Sequence, residues 1–151
     1  MLYLSLGSNL GDKAANLARA IEMIEARAGC VTLKSGVIET EPWGFESGNS
    51  FLNQAIGVET GLPAMEVLDI TQQIERDMGR SEKSGNGTYS DRLIDIDLLL
   101  YDEQIVRNER LTIPHPLIPR RRFVLEPLAE IAPDLMHPLL HKTIKELLMS
   151  I

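Results

Sequence analysis

The stretch Arg92-Leu93-Ile94-Asp95-Ile96-Asp97-Leu98-Leu99-Leu100 constrains the chain most. Side chains alternate across a strand, so Ile94, Ile96, Leu98 and Leu100 predict one unbroken apolar face, and Asp95 and Asp97 emerge together on the other. The apolar face belongs to a core. The other face holds paired acids.

The flanking sequence supplies what such a strand needs. Leu2 to Leu6 is a nearly continuous apolar run closed by Gly7-Ser8-Asn9, which predicts a buried central strand and then a tight turn. Asp12 is placed to cap a helix over 13–28, with Leu17, Ile21, Ile24 and Ala28 on one face and Gly29 to stop it. Val31 to Thr40 and Phe51 to Thr60 are rich in β-branched residues and predict two strands joined by a loop from Glu41 to Ser50. Pro63 suits a first helical turn, and Val67, Leu68, Thr71, Ile74 and Met78 line one face as far as Gly79. A further strand from Leu93 to Tyr101 completes the order strand, helix, strand, strand, helix, strand. That order predicts an α+β fold with a ferredoxin-like βαββαβ core, its helices on one side of an antiparallel sheet. The C-terminal part adds a hairpin or extended loop at 104–118 and helices at Arg122 to Ile131 and Thr143 to Met149. The 151 residues are expected to form one domain.

Composition narrows the function classes. With 44% hydrophobic and 25% charged residues the chain is ordinary globular material, and no apolar run approaches the length of a bilayer span. Cys30 is the single cysteine, so an intrachain disulfide is impossible and a reducing compartment, the cytoplasm, is expected; no signal peptide is visible before the first strand. The net charge of -7 argues against a nucleic-acid or anionic-membrane binder. The cations are nonetheless concentrated: Arg76 to Arg122 carries nine Lys and Arg against eight Asp and Glu, and the rest of the chain six against fourteen.

Two carboxylates about 6 to 7 Å apart repel by about 2 to 3 kcal/mol at an effective dielectric near 20. A cation between them relieves this, and all-oxygen ligation completed by water and phosphate oxygens suits Mg²⁺. From the motif alone, acids that point into water or pair with an arginine such as Arg92 remain an equal reading. Arg80, Lys83, Arg92, Arg110, His115 and the Arg120-Arg121-Arg122 run supply donors for a polyphosphate. There is no Walker-type loop and no dinucleotide fingerprint, so any nucleotide is held by side chains. His137 and His141 lack an acidic partner for a zinc motif and are expected at the surface.

Separated segments carry a further likeness: Leu6-Gly7-Ser8-Asn9-Leu10-Gly11, Thr40-Glu41-Pro42-Trp43-Gly44, Phe51-Leu52-Asn53, Gln72-Gln73-Ile74-Glu75 with Gly79-Arg80, Arg92 to Asp97, Arg110 to Pro116, then Arg121, Phe123 and Pro127-Leu128. In order and spacing the chain resembles the 6-hydroxymethyl-7,8-dihydropterin pyrophosphokinases of folate biosynthesis over nearly its whole length. The resemblance implies transfer of the terminal pyrophosphoryl unit of ATP to the hydroxymethyl oxygen of the reduced pterin, releasing AMP, with two Mg²⁺ ions. It implies Asp95 and Asp97 as metal ligands and Arg92 and Asp97 as catalytic residues, with Asp97 a candidate acceptor of the hydroxyl proton. For ATP it implies Gln72, Glu75, Arg80, Arg92, Leu98, Arg110, Thr112, His115 and Arg121, the arginines and His115 on phosphates. For the pterin it implies Gly7, Thr40, Pro42, Trp43, Phe51, Asn53 and Phe123, the two phenylalanines sandwiching the ring. One stretch departs: where the family usually reads Arg-Trp-Gly-Pro-Arg before the acids, this chain has Thr88-Tyr89-Ser90-Asp91-Arg92. A monomer is expected. The alternative is a non-catalytic small-ligand-sensing ferredoxin-like domain, because that arrangement hosts many regulatory modules.

Overall fold

The computed structural model of the chain describes residues 1–40, 50–79 and 93–151. Strand β1 (Leu2–Ser8) is followed by helix α1 (Lys13–Arg27), β2 (Cys30–Lys34), β3 (Ile38–Thr40), β4 (Phe51–Glu59), α2 (Ala64–Asp77) and β5 (Asp95–Tyr101). The two-residue strands β6 (Val106–Arg107) and β7 (Thr112–Ile113), a 3-10 turn at Ile118–Arg120, α3 (Arg122–Ile131) and α4 (Ile144–Met149) complete it. The sheet runs β2-β4-β1-β5, with β3 also on β4, and every pairing is antiparallel. This is the expected ferredoxin-like arrangement, and the predicted hairpin is the β6–β7 pair.

Local chemistry explains the elements. The Asp12 carboxylate accepts from the Ala15 amide at 3.1 Å and caps α1. Gly29 permits the chain to turn hard against the sheet: a Cβ there would sit 2.3 Å from the Glu59 carbonyl oxygen. Pro63 stands one position before α2 as its N-cap, and Gly79 leaves the helix at φ +100°, a left-handed conformation suited to glycine. The single strand predicted over Val31 to Thr40 is two strands, because Ser35 breaks it. The Ser35 hydroxyl accepts from the Ala55 amide at 2.9 Å, and Gln54 Nε2 donates to the Ser35 carbonyl at 2.8 Å, so side chains replace part of the ladder.

The core lies on both faces of the sheet: the two helices of the βαββαβ core, α1 and α2, share one face as expected, and the additional C-terminal helices α3 and α4 pack on the other. On the first face Leu2, Leu4, Leu6, Ile56, Val58, Ile94, Ile96 and Leu98 pack with α1 and α2. On the second, Tyr3, Ala55, Leu99 and Leu100 pack with Val124, Leu125 and Leu128 of α3 and Ile144 and Leu147 of α4. The unbroken Ile94-to-Leu100 face is corrected. Leu4 pairs with Leu98 but Tyr3 with Leu100, a β-bulge that places Leu99 and Leu100 together in the second core. The second face is thus divided along its length. Its apolar end is roofed by α3 and α4, and its polar end carries Ser5, Gly7, Asn53, Asp95 and Asp97.

Candidate active site

The β-ladder draws the site's first row. Gly7 of β1 pairs with Asn53 of β4 on one side and with Asp95 of β5 on the other, and Ser5 pairs with Asp97. Directly opposed residues share a face, so the acids stand one strand away from glycine and two from Asn53. Asn53 is 4% exposed, and its Nδ2 donates to Thr40 Oγ1 at 2.7 Å. The amide oxygen is the end turned over Gly7, where a Cβ would meet it at 3.3 Å and Phe51 Cδ1 at 3.5 Å. The missing side chain of Gly7 therefore leaves a shallow floor walled by an aromatic edge and a carbonyl-type acceptor.

A second group of residues forms a cleft of about 360 Å³ along β5. Its walls include Gln72 and Glu75 from α2, Asp95, Asp97 and Leu98 from β5, and Arg110, Thr112 and His115 from the β6–β7 region. Glu75 is 3% exposed and accepts the Ile96 amide at 2.9 Å, so it ties α2 to the strand that carries the acids. Arg110 Nη2 donates to Asp69 Oδ1 at 2.6 Å and to Gln72 Oε1 at 3.0 Å. The backbone amide of His115 donates to the Leu99 carbonyl, and its Nδ1 accepts from the Leu117 amide at 3.2 Å. Burial holds the His115 pKa below the ordinary histidine value and the Arg121 guanidinium depresses it further, with Asp95 pulling the other way. The imidazole is therefore neutral at pH 7, with its proton on Nε2, a donor suited to a phosphate oxygen. Arg121 is 8% exposed and lies 5.5 Å from the centre of the Phe123 ring, a cation–π contact that links the cationic side of the site to its aromatic side.

Residues 3–133 match the family described as 7,8-dihydro-6-hydroxymethylpterin-pyrophosphokinase, HPPK. The chain belongs to that family. It is 48% identical over 139 residues to the 2-amino-4-hydroxy-6-hydroxymethyldihydropteridine pyrophosphokinase of Porphyromonas gingivalis, covering 91% of this chain and 94% of that protein. The enzyme of the same name from Aquifex aeolicus is 39% identical over 145 residues, covering 96% and 88%. Among solved structures, Plasmodium falciparum HPPK-DHPS wild type aligns with a TM-score of 0.79 at 16% identity, over 99% of this chain and 44% of that one. That likeness is one of fold, and the present chain spans less than half of the solved chain.

The structure gathers the expected residues into two adjoining groups. Gly7, Thr40, Phe51 and Asn53 meet at the polar end of the sheet. Gln72, Glu75, Leu98, Arg110, Thr112 and His115 line the cleft, and Asp95 and Asp97 belong to both. Phe123, half-buried at the start of α3, touches Arg121, whose charge in turn acts on His115. Pro42, Trp43, Gly44, Arg80, Lys83, Tyr89 and Arg92 lie outside the described residues. His137 departs from the surface position expected of it: it is 4% exposed, and its Nδ1 accepts from the Leu139 and Leu140 amides.

Two residues of the site were not anticipated. Asp69 anchors Arg110, and Asn108 Oδ1 accepts from the amides of Arg110 and Leu111 at 2.8 and 2.9 Å, shaping the turn that presents the arginine. Asp69 had a sequence signal, since it precedes Gln72 by three positions on one helix face. Asn108 two residues before Arg110 is an Asx-turn spacing.

The donor set at β5 suits a hard cation. Asp95 and Asp97 are half-buried, line the cleft and offer carboxylate oxygens. No cluster of three His, Cys, Asp or Glu occurs among the described residues. A pair of carboxylates that leaves the rest of the shell to water and phosphate oxygens is the pattern Mg²⁺ takes in nucleotide enzymes.

Proposed function

We infer that this protein transfers the β,γ-pyrophosphoryl unit of ATP to the hydroxymethyl oxygen of 6-hydroxymethyl-7,8-dihydropterin and releases AMP. The observation that carries this reading is the pairing of Gly7 with Asp95. It sets the floor suited to a flat heterocycle beside the two acids that border the nucleotide cleft.

In this reading Asn53 Oδ1 accepts an N–H from the amide-like edge of the pterin, while Phe51 and Phe123 hold its faces. Gln72 and Thr112 contact the nucleoside, and Glu75 holds the helix that carries Gln72 against β5. Neutral His115 donates from Nε2 to a phosphate oxygen, and Arg110 and Arg121 balance the triphosphate charge, as do Arg80 and Arg92 in the family pattern. The alcohol oxygen bonds to the β-phosphorus as the bond from that phosphorus to the α-phosphate oxygen breaks. AMP leaves with that electron pair, and Asp97 takes the hydroxyl proton. Orientation of the two substrates supplies much of the acceleration. Two Mg²⁺ ions held at Asp95 and Asp97 would supply charge neutralisation on the phosphate oxygens.

We place the enzyme in a reducing compartment, the cytoplasm, a reading that the single cysteine supports, and propose that it acts as a monomer; among the described residues no helix is long and apolar enough to cross a membrane. The sensor alternative finds no support in the family to which the chain belongs.

The direct test incubates the protein with ATP, Mg²⁺ and 6-hydroxymethyl-7,8-dihydropterin. AMP is the expected product; ADP would mean ordinary single-phosphoryl transfer and would overturn the reading. Asp97→Ala is expected to lower kcat by about 10²- to 10⁴-fold, the range associated with loss of a positioned acid or base, with the fold intact by circular dichroism.

A further inference from the structure

We propose that Asp69 is a positioning residue for the nucleotide, acting through Arg110 on the orientation of Gln72. This deepens the reading above and rests on it. Asp69 itself is 61% exposed and outside the cleft wall, whereas Arg110 and Gln72 both line it. One guanidinium nitrogen, Nη2, makes both bonds, at 2.6 Å to Asp69 and 3.0 Å to Gln72. Two consequences follow from the donor inventory. Arginine has donors alone, so the Gln72 amide must turn its oxygen toward Arg110, and its Nε2, with two N–H groups, is the end offered to a ligand. The cleft therefore presents a hydrogen-bond donor at Gln72, matched to an acceptor on the nucleoside such as a ring nitrogen or a ribose oxygen.

The second consequence concerns Arg110. Among the described residues its Nη1 and Nε keep their donors for phosphate, while the Asp69 and Gln72 bonds hold the long side chain in one geometry before the ligand arrives. The turn around Asn108 fixes the same arginine from its backbone. Ordering such a side chain in advance removes a cost otherwise met on binding, equivalent to about two- to tenfold in affinity. An exposed ion pair contributes little to folding by itself, so the effect of Asp69 is expected in ligand binding and not in stability.

The experiment compares wild type, Asp69→Ala, Asp69→Asn, Arg110→Ala and the Asp69→Ala/Arg110→Ala double variant. KM for each substrate, kcat and the calorimetric affinity for a non-hydrolysable ATP analogue are measured. Asp69→Ala is expected to raise KM for ATP and weaken analogue binding by about three- to tenfold, with kcat and pterin KM unchanged and most of the loss restored in Asp69→Asn, which keeps an acceptor oxygen. In the Arg110→Ala background the Asp69 substitution is expected to add nothing, since it acts through that arginine. Unchanged analogue affinity in Asp69→Ala would overturn the proposal. So would tighter binding, which would make Asp69 a competitor for Arg110, or an equal loss with and without Arg110. AMP formation by wild type tests the enzymatic reading separately, so failure of either is recognisable.

Discussion

Gly7 is the residue on which the pterin floor depends. Of the nearest neighbours of an added Cβ, Asn53 Oδ1 at 3.3 Å would have to yield by only a few tenths of an ångström, and Phe51 Cδ1 at 3.5 Å is in ordinary contact. Valine is at ease on a strand, so Gly7→Val is expected to fold while its methyl groups occupy the space above the floor. Pterin affinity should fall at least about tenfold, the scale of one or two misplaced methyl groups in a fitted pocket, with affinity for an ATP analogue retained; calorimetry with each ligand separates the two. At this scale the sequence was readable where chemistry repeats with the period of the strand, as at Asp95 and Asp97. It marked Asp69 only as a neighbour of Gln72 on one helix face, because an acid on an exposed helix face looks the same whether it meets water or a guanidinium 41 positions away in sequence, as Arg110 is.

Elements were legible in their existence and less so in their interruptions. The helix at Lys13–Arg27 follows directly from the Asp12 cap and apolar spacing, and Arg122–Ile131, which has no side-chain cap, from its apolar residues alone. The break at Ser35 and the bulge in β5 do not, since each depends on a hydrogen bond or a register with a distant strand. The connection between α3 and α4 makes the same point for His137. A histidine in a Pro-containing loop reads as exposed, yet this one is buried and its Nδ1 receives two backbone amides. Burial pushes its pKa below the ordinary value and the neighbouring His141 adds to the shift. The unfolded chain therefore binds the proton more readily than the folded one. Stability rises with pH in the window between the depressed folded pKa and the unfolded value of about 6.5, and is lost as pH falls through it. Urea titrations at pH 5 and pH 7.5 are expected to show a larger drop for wild type than for His137→Asn, whose amide oxygen accepts the same bonds without titrating.

For the whole molecule, three layers do two jobs. α1 and α2 pack along one face, whereas α3 and α4 cover only the apolar end of the other. Both C-terminal helices were visible in the sequence, but the face they cover was not, because the bulge that turns Leu99 and Leu100 toward them is a tertiary event. Leu147 is 4% exposed within that second core and does not line the cleft. Leu147→Ala is expected to cost about 2 to 5 kcal/mol in denaturant unfolding while kcat and both KM values at low temperature stay at wild-type levels. A parallel loss of activity in the folded variant would mean that the roof also shapes the site.

Because Asn53, Gly7 and Asp95 sit on three neighbouring strands in one row, the reach from heterocycle to acids is measured in steps of about 4.8 Å, the spacing at which hydrogen-bonded strands lie. Side-chain replacement can retune what each station grips. The ruler between stations is backbone, so drift in sequence leaves the separation of the two reacting partners unchanged.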